Sequence, residues 1–584
     1  MFPRKEYFPF LCTQIEIQMK KYTIFLLFTL LLFSSYAQEY AKYWVQFTDK
    51  NNTPFSVDRP KEFLSQRAIQ LRQKYQIPID ETDIPVNVIY IQQVLDIDST
   101  MRLCTKSKWL NGITVYCERD GVLDSILKLP FVSFVERTVT MSEPETRPDT
   151  PFVFEREQRN EWVWQHTYHS DWTQNHDFDY GLAGQQIRIN NGHWLHRMGY
   201  HGETMRMMVM DAGFSNVDTL FVFRDLQQDQ RLLGARNLVQ PEVSPFVKHT
   251  HGTSVLSCIA AYVPGKMVGT APMVEVYLCK TEDARSENKV EEDNWVAGLE
   301  LADSLGCQVL NSSLGYTKFD DSTQVRTFDD LNGHVSRASQ AATMAAAKGM
   351  IVCNSAGNEG SQKWRYLGAP ADARDILTVG AVDGKGKIAS FSSHGPASDG
   401  RVKPDVCAVG SGCYVASPSG FIHLSFGTSF SSPIMSGMVA CLWQAFPDKS
   451  NFEIMDAVRR SSNQYNAPDS LYGYGIPDML KAYNLLLQPD REDLQVHFDS
   501  FVAENNLLTI EMAMPSFNGN PCPIEFQLIK RGNNKTWSQK VVLQNAQQWC
   551  TIKIPSLSKK DKYGIYDLEI RVAGHEPLHY VVAQ

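Results

Sequence analysis

Basic charge is what this 584-residue chain is short of: 56 lysines and arginines stand against 65 aspartates and glutamates, a formal net charge of -9. A protein that coats phosphate backbones carries a basic excess, so nucleic acid is not an expected partner. Long apolar runs are missing as well. No stretch reaches the ~20 apolar residues of a membrane-crossing helix, so no stable membrane span is expected. The 12 cysteines are too thinly spread for a small disulfide framework. There is no internal repeat and no low-complexity tract, which excludes solenoids and fibrous assemblies. What is present is ordinary for core-forming protein, with 43% hydrophobic and 21% charged residues. At ~150 residues per domain the length suggests about four units.

One short apolar run, Ile24–Phe33, follows Met19-Lys20-Lys21 and ends in Ser35-Tyr36-Ala37. That order is the charged region, apolar region and small-residue cleavage site of a secretory signal, so residues 19–37 are expected to be a signal peptide and Met19 the start. No cysteine follows the cleavage site, so a lipid anchor is not indicated. Export permits disulfides: Cys104 with Cys117 and Cys522 with Cys550 are plausible local bridges, while the seven cysteines from Cys258 to Cys441 read as buried thiols.

Residues 38–141 alternate strands and helices in the manner of a small α+β βαββαβ sandwich, with strands at Tyr43–Phe47, Gly112–Cys117 and Val132–Arg137 and helices at Pro60–Tyr75 and Val122–Leu129. Residues 142–179 read as a linker and processing region, opening on the proline-rich, charged Ser142–Pro151. Residues 180–488 alternate apolar strands (Met205–Met210, Val274–Leu278, Val309–Leu310, Met350–Cys353) with helical stretches (Ser254–Ala261, Trp295–Leu305, Arg337–Lys348). The expected fold class is α/β, a parallel sheet with helices on both faces. Residues 489–584 alternate in short runs between polar turns and read as an antiparallel β-sandwich.

Four segments of the large unit carry chemistry. Asp211 ends the apolar strand of Met207–Phe214, where α/β folds build their sites, although an aspartate there reads as readily as a helix cap. His251 stands at the mouth of a helix in His249–Leu256; a third metal ligand at suggestive spacing is missing, so no metal is inferred. Asn358 sits in the turn that ends Ile351–Gly360. Ser429 opens a helix in Phe426–Gly437, beside free backbone N–H groups and the positive end of the helix dipole, with Pro433 read as part of the first turn.

Together these motifs resemble the subtilisin-like serine proteases: Asp-x-Gly after a strand, His-Gly-Thr opening a helix, Ala-Gly-Asn-Glu-Gly, and Gly-Thr-Ser-x-Ser-Ser-Pro, in the order Asp, His, Ser. The resemblance covers about Tyr180 to Leu487 and implies a subtilisin-like fold. It implies Asp211, His251 and Ser429 as a triad with Asn358 as oxyanion donor. It further implies Ser313, Leu314 and Gly315 as the substrate-pairing strand and Gly368 in the primary pocket, where the missing side chain would admit large apolar residues. By position and pattern, residues 38–141 resemble the family's inhibitory prodomain, and the C-terminal unit resembles accessory modules of secreted proteases.

No cofactor is implied. Tyr262–Gly269 lacks the asparagines of a family calcium loop, so structural calcium is unsupported there. Phe430 stands after the nucleophile position, where many family members carry methionine. The acidic run Glu282–Asp293 reads as a solvated face. The implied function is a secreted or cell-envelope serine endopeptidase made as a zymogen, acting on protein or peptide substrates, with its own prodomain as intramolecular inhibitor. The alternative is a protease-fold protein limited to self-processing that serves as a surface-binding or scaffold module.

Overall fold

The computed structural model describes residues 40–119, 121–141, 154–155, 178–488, 491, 493–515, 517–557 and 563–584. The expected signal peptide and most of the linker region 142–179 lie outside these residues.

The N-terminal unit is a four-stranded antiparallel sheet in the order β2-β3-β1-β4, from β1 (Tyr40–Phe47), β2 (Arg102–Ser107), β3 (Gly112–Cys117) and β4 (Val132–Met141). Two of its helices run in succession, α1 (Gln66–Lys74) and α2 (Val88–Leu95). The single helix expected over Pro60–Tyr75 breaks at Ser65. Its hydroxyl accepts from Ala68 N–H and starts α1 afresh after a short turn at Pro60–Glu62.

Next along the chain come β5 (Arg206–Asp211), β6 (Leu232–Asn237), α3 (His251–Ala260), β7 (Glu275–Lys280), α4 (Val290–Ser304) and β8 (Val309–Ser312). They are followed by α5 (Arg337–Ala347), β9 (Ile351–Ser355), β10 (Leu377–Asp383), β11 (Val406–Ala416), β12 (Ile422–Phe426) and α6 (Thr428–Ala445). The strands form one sheet in the order β12-β11-β10-β9-β8-β5-β7-β6, with Phe154–Glu155 antiparallel to β6 at the far edge. Strands β5 to β11 are parallel, and β12 returns antiparallel on β11.

Strand β5 shows why these strands are apolar on both sides. Met207 and Val209 pack into the layer of Val255, Leu256, Met435 and Met438 from α3 and α6, while Met208 and Met210 pack with Trp295, Leu299, Ala338 and Ala342 from α4 and α5. A strand with period-two side chains, covered on both faces, has no polar face to spare.

The C-terminal strands are β13 (Gln495–Phe498), β14 (Leu507–Ala513), β15 (Cys522–Lys530), β16 (Thr536–Leu543), β17 (Gln547–Lys553), β18 (Ile565–Val572) and β19 (Leu578–Ala583). They make two antiparallel sheets, β13-β14-β17 and β16-β15-β18-β19, whose inward residues Ile510, Met512, Phe526 and Ile570 are buried together.

Cys104, Cys117, Cys522 and Cys550 are free thiols, not the expected bridges. Cys104 lies at a register irregularity of β2, Cys117 is buried opposite Ala41, and Cys522 and Cys550 belong to different sheets.

The N-terminal unit docks on α4 and α5 through buried charge. Glu300 on α4 accepts from Ser107 Oγ (2.5 Å), Lys108 N–H (2.7 Å) and Trp109 N–H (3.1 Å). The Arg72 guanidinium lies between Asp303 (2.6 Å) and Asp83 (3.2 Å), and Lys108 Nζ also reaches Asp303 (2.9 Å). Glu136 pairs with Arg337 (2.7 Å) and Lys289.

Candidate active site

Asp211 is the last residue of β5, fully buried at the carboxyl end of the sheet's interior. Both carboxylate oxygens stand 2.9 Å from His251 Nδ1, and Oδ1 also accepts from Ala212 N–H at 2.7 Å. A very close approach makes this meeting possible. Gly213 has φ +149, and a Cβ there would lie 2.9 Å from His249 Cβ. Gly252 N–H bonds Gly213 O at 3.0 Å, and a Cβ on Gly252 would lie 2.6 Å from that oxygen. Larger residues would push the histidine helix off the strand end.

Burial works against charge on His251, but the Asp211 carboxylate and its hydrogen bond overcome it and raise the imidazole above its ordinary 6.5. The His251 side chain remains 31% exposed.

Ser429 is the second residue of α6 and 8% exposed. The residue before the helix, Gly427, has φ +154, and its N–H bonds Gly410 O at 2.8 Å. A Cβ on Gly427 would lie 3.7 Å from both Ser429 N and Asn358 Nδ2, so the two donors flank one small space. The Asn358 amide has a fixed direction: its oxygen accepts from Thr428 N–H (2.9 Å) and Thr428 Oγ (3.0 Å), which turns Nδ2 the other way.

Pro433 lies inside α6 and not in its first turn, so the helix lacks the N–H that would bond Ser429 O. Ser313 Oγ donates to that carbonyl at 2.8 Å and replaces the missing bond. Phe430 packs its ring 5.9 Å from the His251 ring and is buried, as are Met435 and Met438 further along the helix.

A pocket of about 130 Å³ opens beside Ser429. Its walls include Ser313, Leu314, Gly315, Asn358 and Gly368, so the structure gathers every residue the sequence reading placed on the substrate side. Residues without a role in that reading also line it, among them Thr317 and Glu359. Thr317 takes part of the space left by the absent side chain at Gly368, since a Cβ there would lie 2.5 Å from Thr317 Oγ1. Glu359 stands next to Asn358 in the quoted motif and accepts from Ser393 Oγ at 2.8 Å.

The acidic run is not a solvated face. Glu282, Glu291, Glu292 and Asp293 are all buried. Glu292 pairs with Arg326 and accepts from Ser336 Oγ (2.7 Å), and Asp293 pairs with Arg337 (2.6 Å) and accepts from Thr114 Oγ (2.9 Å). Glu282 accepts from Tyr316 OH at 2.6 Å, and burial raises the carboxyl of both Glu282 and Glu291. Among the described residues no group of three or more His, Cys, Asp or Glu is placed to hold a metal ion. Among the same residues, no helix is long and apolar enough to cross a membrane.

Residues 208–475 match the Subtilase family, and residues 42–150 match the Peptidase S8 propeptide domain of Bacteroidota. Subtilisin DY of Bacillus licheniformis is 30% identical over 280 residues, covering 47% of this chain and 89% of that protein. Subtilisin of Bacillus pumilus is 29% identical over 286 residues, 48% of this chain and 92% of that protein. Subtilisin E of Bacillus subtilis (strain 168) is 29% identical over 286 residues, and there the match spans 66% of the relative's length. The chain belongs to the subtilase family and carries the family's propeptide domain ahead of the parallel-sheet domain.

Proposed function

We propose that the chain is an exported serine endopeptidase, made as a zymogen, that cleaves peptide bonds through an acyl-enzyme on Ser429. The observation that carries this reading is the buried Asp211 carboxylate held 2.9 Å from His251 Nδ1. Asp211 keeps the proton on Nδ1, so the other ring nitrogen is free to accept. A serine hydroxyl is a weak nucleophile at neutral pH, and His251 takes its proton as Ser429 Oγ attacks the carbonyl. The developing oxyanion sits between Asn358 Nδ2 and Ser429 N–H, at the positive end of α6. His251 then passes its proton to the leaving amine, and water repeats the sequence on the acyl-enzyme.

Incubation with casein and a serine-directed fluorophosphonate tests the reading. Label on Ser429 together with casein cleavage is expected. Label without cleavage would favour a protein limited to self-processing, and absence of both would overturn the proposal.

Asn358→Ala should lower kcat by about 10²–10³ with little change in KM, the cost of one oxyanion donor in a subtilisin. Steady-state kinetics on one peptide substrate checks this; an effect confined to KM would move Asn358 into substrate binding.

The N-terminal unit acts as the intramolecular inhibitor. Its docking relies on a network of buried ion pairs, and removing one partner leaves the remaining buried charges less well compensated. Residues 38–141 added in trans should inhibit the mature enzyme. Arg72→Ala in that segment, which leaves Asp303 with Lys108 and Asp83 with Lys348 but removes the cation between the two carboxylates, should raise the inhibition constant about 10-fold. Equal inhibition by both segments would count against the docking described here.

A further inference from the structure

Helix α3 carries His251 at its first residue, and it packs against β11, the strand that flanks the nucleophile. Gly410 on β11 accepts the N–H of Gly427, the residue before α6. Two serines already clamp α3 to this strand. Ser257 Oγ accepts from Ala416 N–H at 2.9 Å, and Ser254 Oγ donates to Ala416 O at 3.1 Å. Beside the clamp stands a pair of thiols. Cys258 Sγ of α3 lies 3.9 Å from Cys413 Sγ of β11, and neither side chain is exposed. Cys413 follows Gly412 (φ +74), where the pairing of β11 with β12 slips by a residue.

Other contacts of these sulfurs are long. Cys258 Sγ donates to Ser254 O and Cys413 Sγ to Tyr414 O, both at 3.7 Å, against 3.3 Å from Cys441 Sγ to Thr270 O. A disulfide needs ~2.05 Å between sulfurs, so each would move about 1 Å, a step that small rotations about the two Cα–Cβ bonds span. The cysteines are 155 positions apart. The chain between them holds Ser313–Gly315 and Asn358, so a bond would close the substrate side of the site into one covalent loop with the histidine helix.

We propose that Cys258 and Cys413 are a modification site: in the exported protein they are oxidised to one disulfide that fastens the histidine helix to the strand flanking the nucleophile. The proposal rests on the export put forward above, since oxidising compartments supply the disulfide donor, a thiol–disulfide oxidoreductase or an oxidised small thiol. One protein thiolate attacks a sulfur of the donor and releases the donor's first thiol. The second thiolate then attacks the mixed disulfide, the Sγ–Sγ bond forms, and the donor leaves as its second thiol. The protein loses two electrons and two protons, and the donor gains them. Burial, with Cys258 beside it, holds the Cys413 thiol well above its ordinary 9, so its thiolate is available only before α3 closes on β11. The bond therefore forms during folding and is shielded from reductants afterwards.

Ser429→Ala is the sample for mapping, because its precursor stays whole. It is produced once with residues 19–37 and once without them, so that one chain folds in the oxidising envelope of a bacterial host and the other in the reducing cytoplasm. Each is unfolded in iodoacetamide, digested and read by mass spectrometry. The peptides of Cys258 and Cys413 should be joined in the exported sample and alkylated in the retained one. Refolding the retained sample with oxidised glutathione should join them.

Linked and reduced forms share one sequence, so differences in packing cancel between them. The linked form should unfold about 5–10 °C higher at one scan rate, as expected for a long closed loop. Cys258→Ala and Cys413→Ala should each be unaffected by the choice of compartment. Alkylated cysteines in an exported sample that has lost residues 19–37, no joining on refolding, or either cysteine joined to another partner would overturn the pairing. Equal unfolding of linked and reduced forms would overturn the fastening. A sample that never loses residues 19–37 but joins on refolding would keep the pairing and overturn the export reading.

Discussion

Ser429→Ala should lower kcat by about 10⁶, the loss known for removal of the nucleophile in subtilisin itself, and should leave the precursor uncut. The structure explains why no neighbour can take over. Ser431 and Ser432 are fully buried, with their hydroxyls committed to Thr428 O (2.9 Å) and Asn311 Oδ1 (2.9 Å). Thr428 Oγ donates to Asn358 Oδ1 and accepts from Gly357 N–H, so it belongs to the scaffold of the oxyanion space. The substitution removes one hydroxyl and leaves the Ser429 carbonyl in place for Ser313, so the helix start should persist. The measurement is residual peptide hydrolysis, with circular dichroism to show an intact fold and mass spectrometry to show a chain uncut near Ser142–Pro151. Activity within tenfold of the natural sequence would place the nucleophile elsewhere.

What could be read in advance follows from the range of the interactions concerned. Strands β5, β7, β8 and β9 were legible because burial on both faces leaves a continuous apolar run, and each was anticipated to within two residues at either end. The meeting of Asp211 with His251 was legible because each sits at the end of a regular element, where short motifs and glycines set the geometry. Where partners are distant in sequence, the reading failed. The run from Glu282 to Asp293 has the composition of a solvated surface, and nothing local reveals that Arg326, Arg337 and Tyr316 come to meet it. Arg72 and Asp303 lie 231 positions apart and join two domains. From the sequence Pro433 reads as a residue of the first turn, because the Ser313 hydroxyl that compensates for it inside the helix comes from another segment of the chain. Glu359 and Thr317 in the pocket differ in this respect. Glu359 was adjacent to a residue already singled out, whereas Thr317 reaches Gly368 only through the fold.

Asp211→Asn should lower kcat by about 10⁴, a magnitude that the triads of serine proteases, subtilisin included, share. The asparagine is nearly isosteric, so the strand end and the close approach of Gly213 to the histidine helix should survive. The chemistry changes at one point. A carboxylate only accepts, and it holds the His251 proton on Nδ1; an amide can present its NH₂ to that nitrogen and leave the proton on the nitrogen that must receive it from Ser429. The same substitution removes the charge that raises the imidazole above 6.5, while the burial that lowers it remains. The base must be neutral to accept a proton, so activity rises with pH through the histidine's titration. The natural enzyme should therefore show its acid limb in kcat/KM above pH 6.5, and the limb of Asp211→Asn should shift to lower pH. The pH profiles of both enzymes on one peptide substrate, with Ser429→Ala as the blank, decide the matter. An unshifted limb together with a small loss in kcat would mean that Asp211 only shapes the turn after β5 and that another group sets the state of His251.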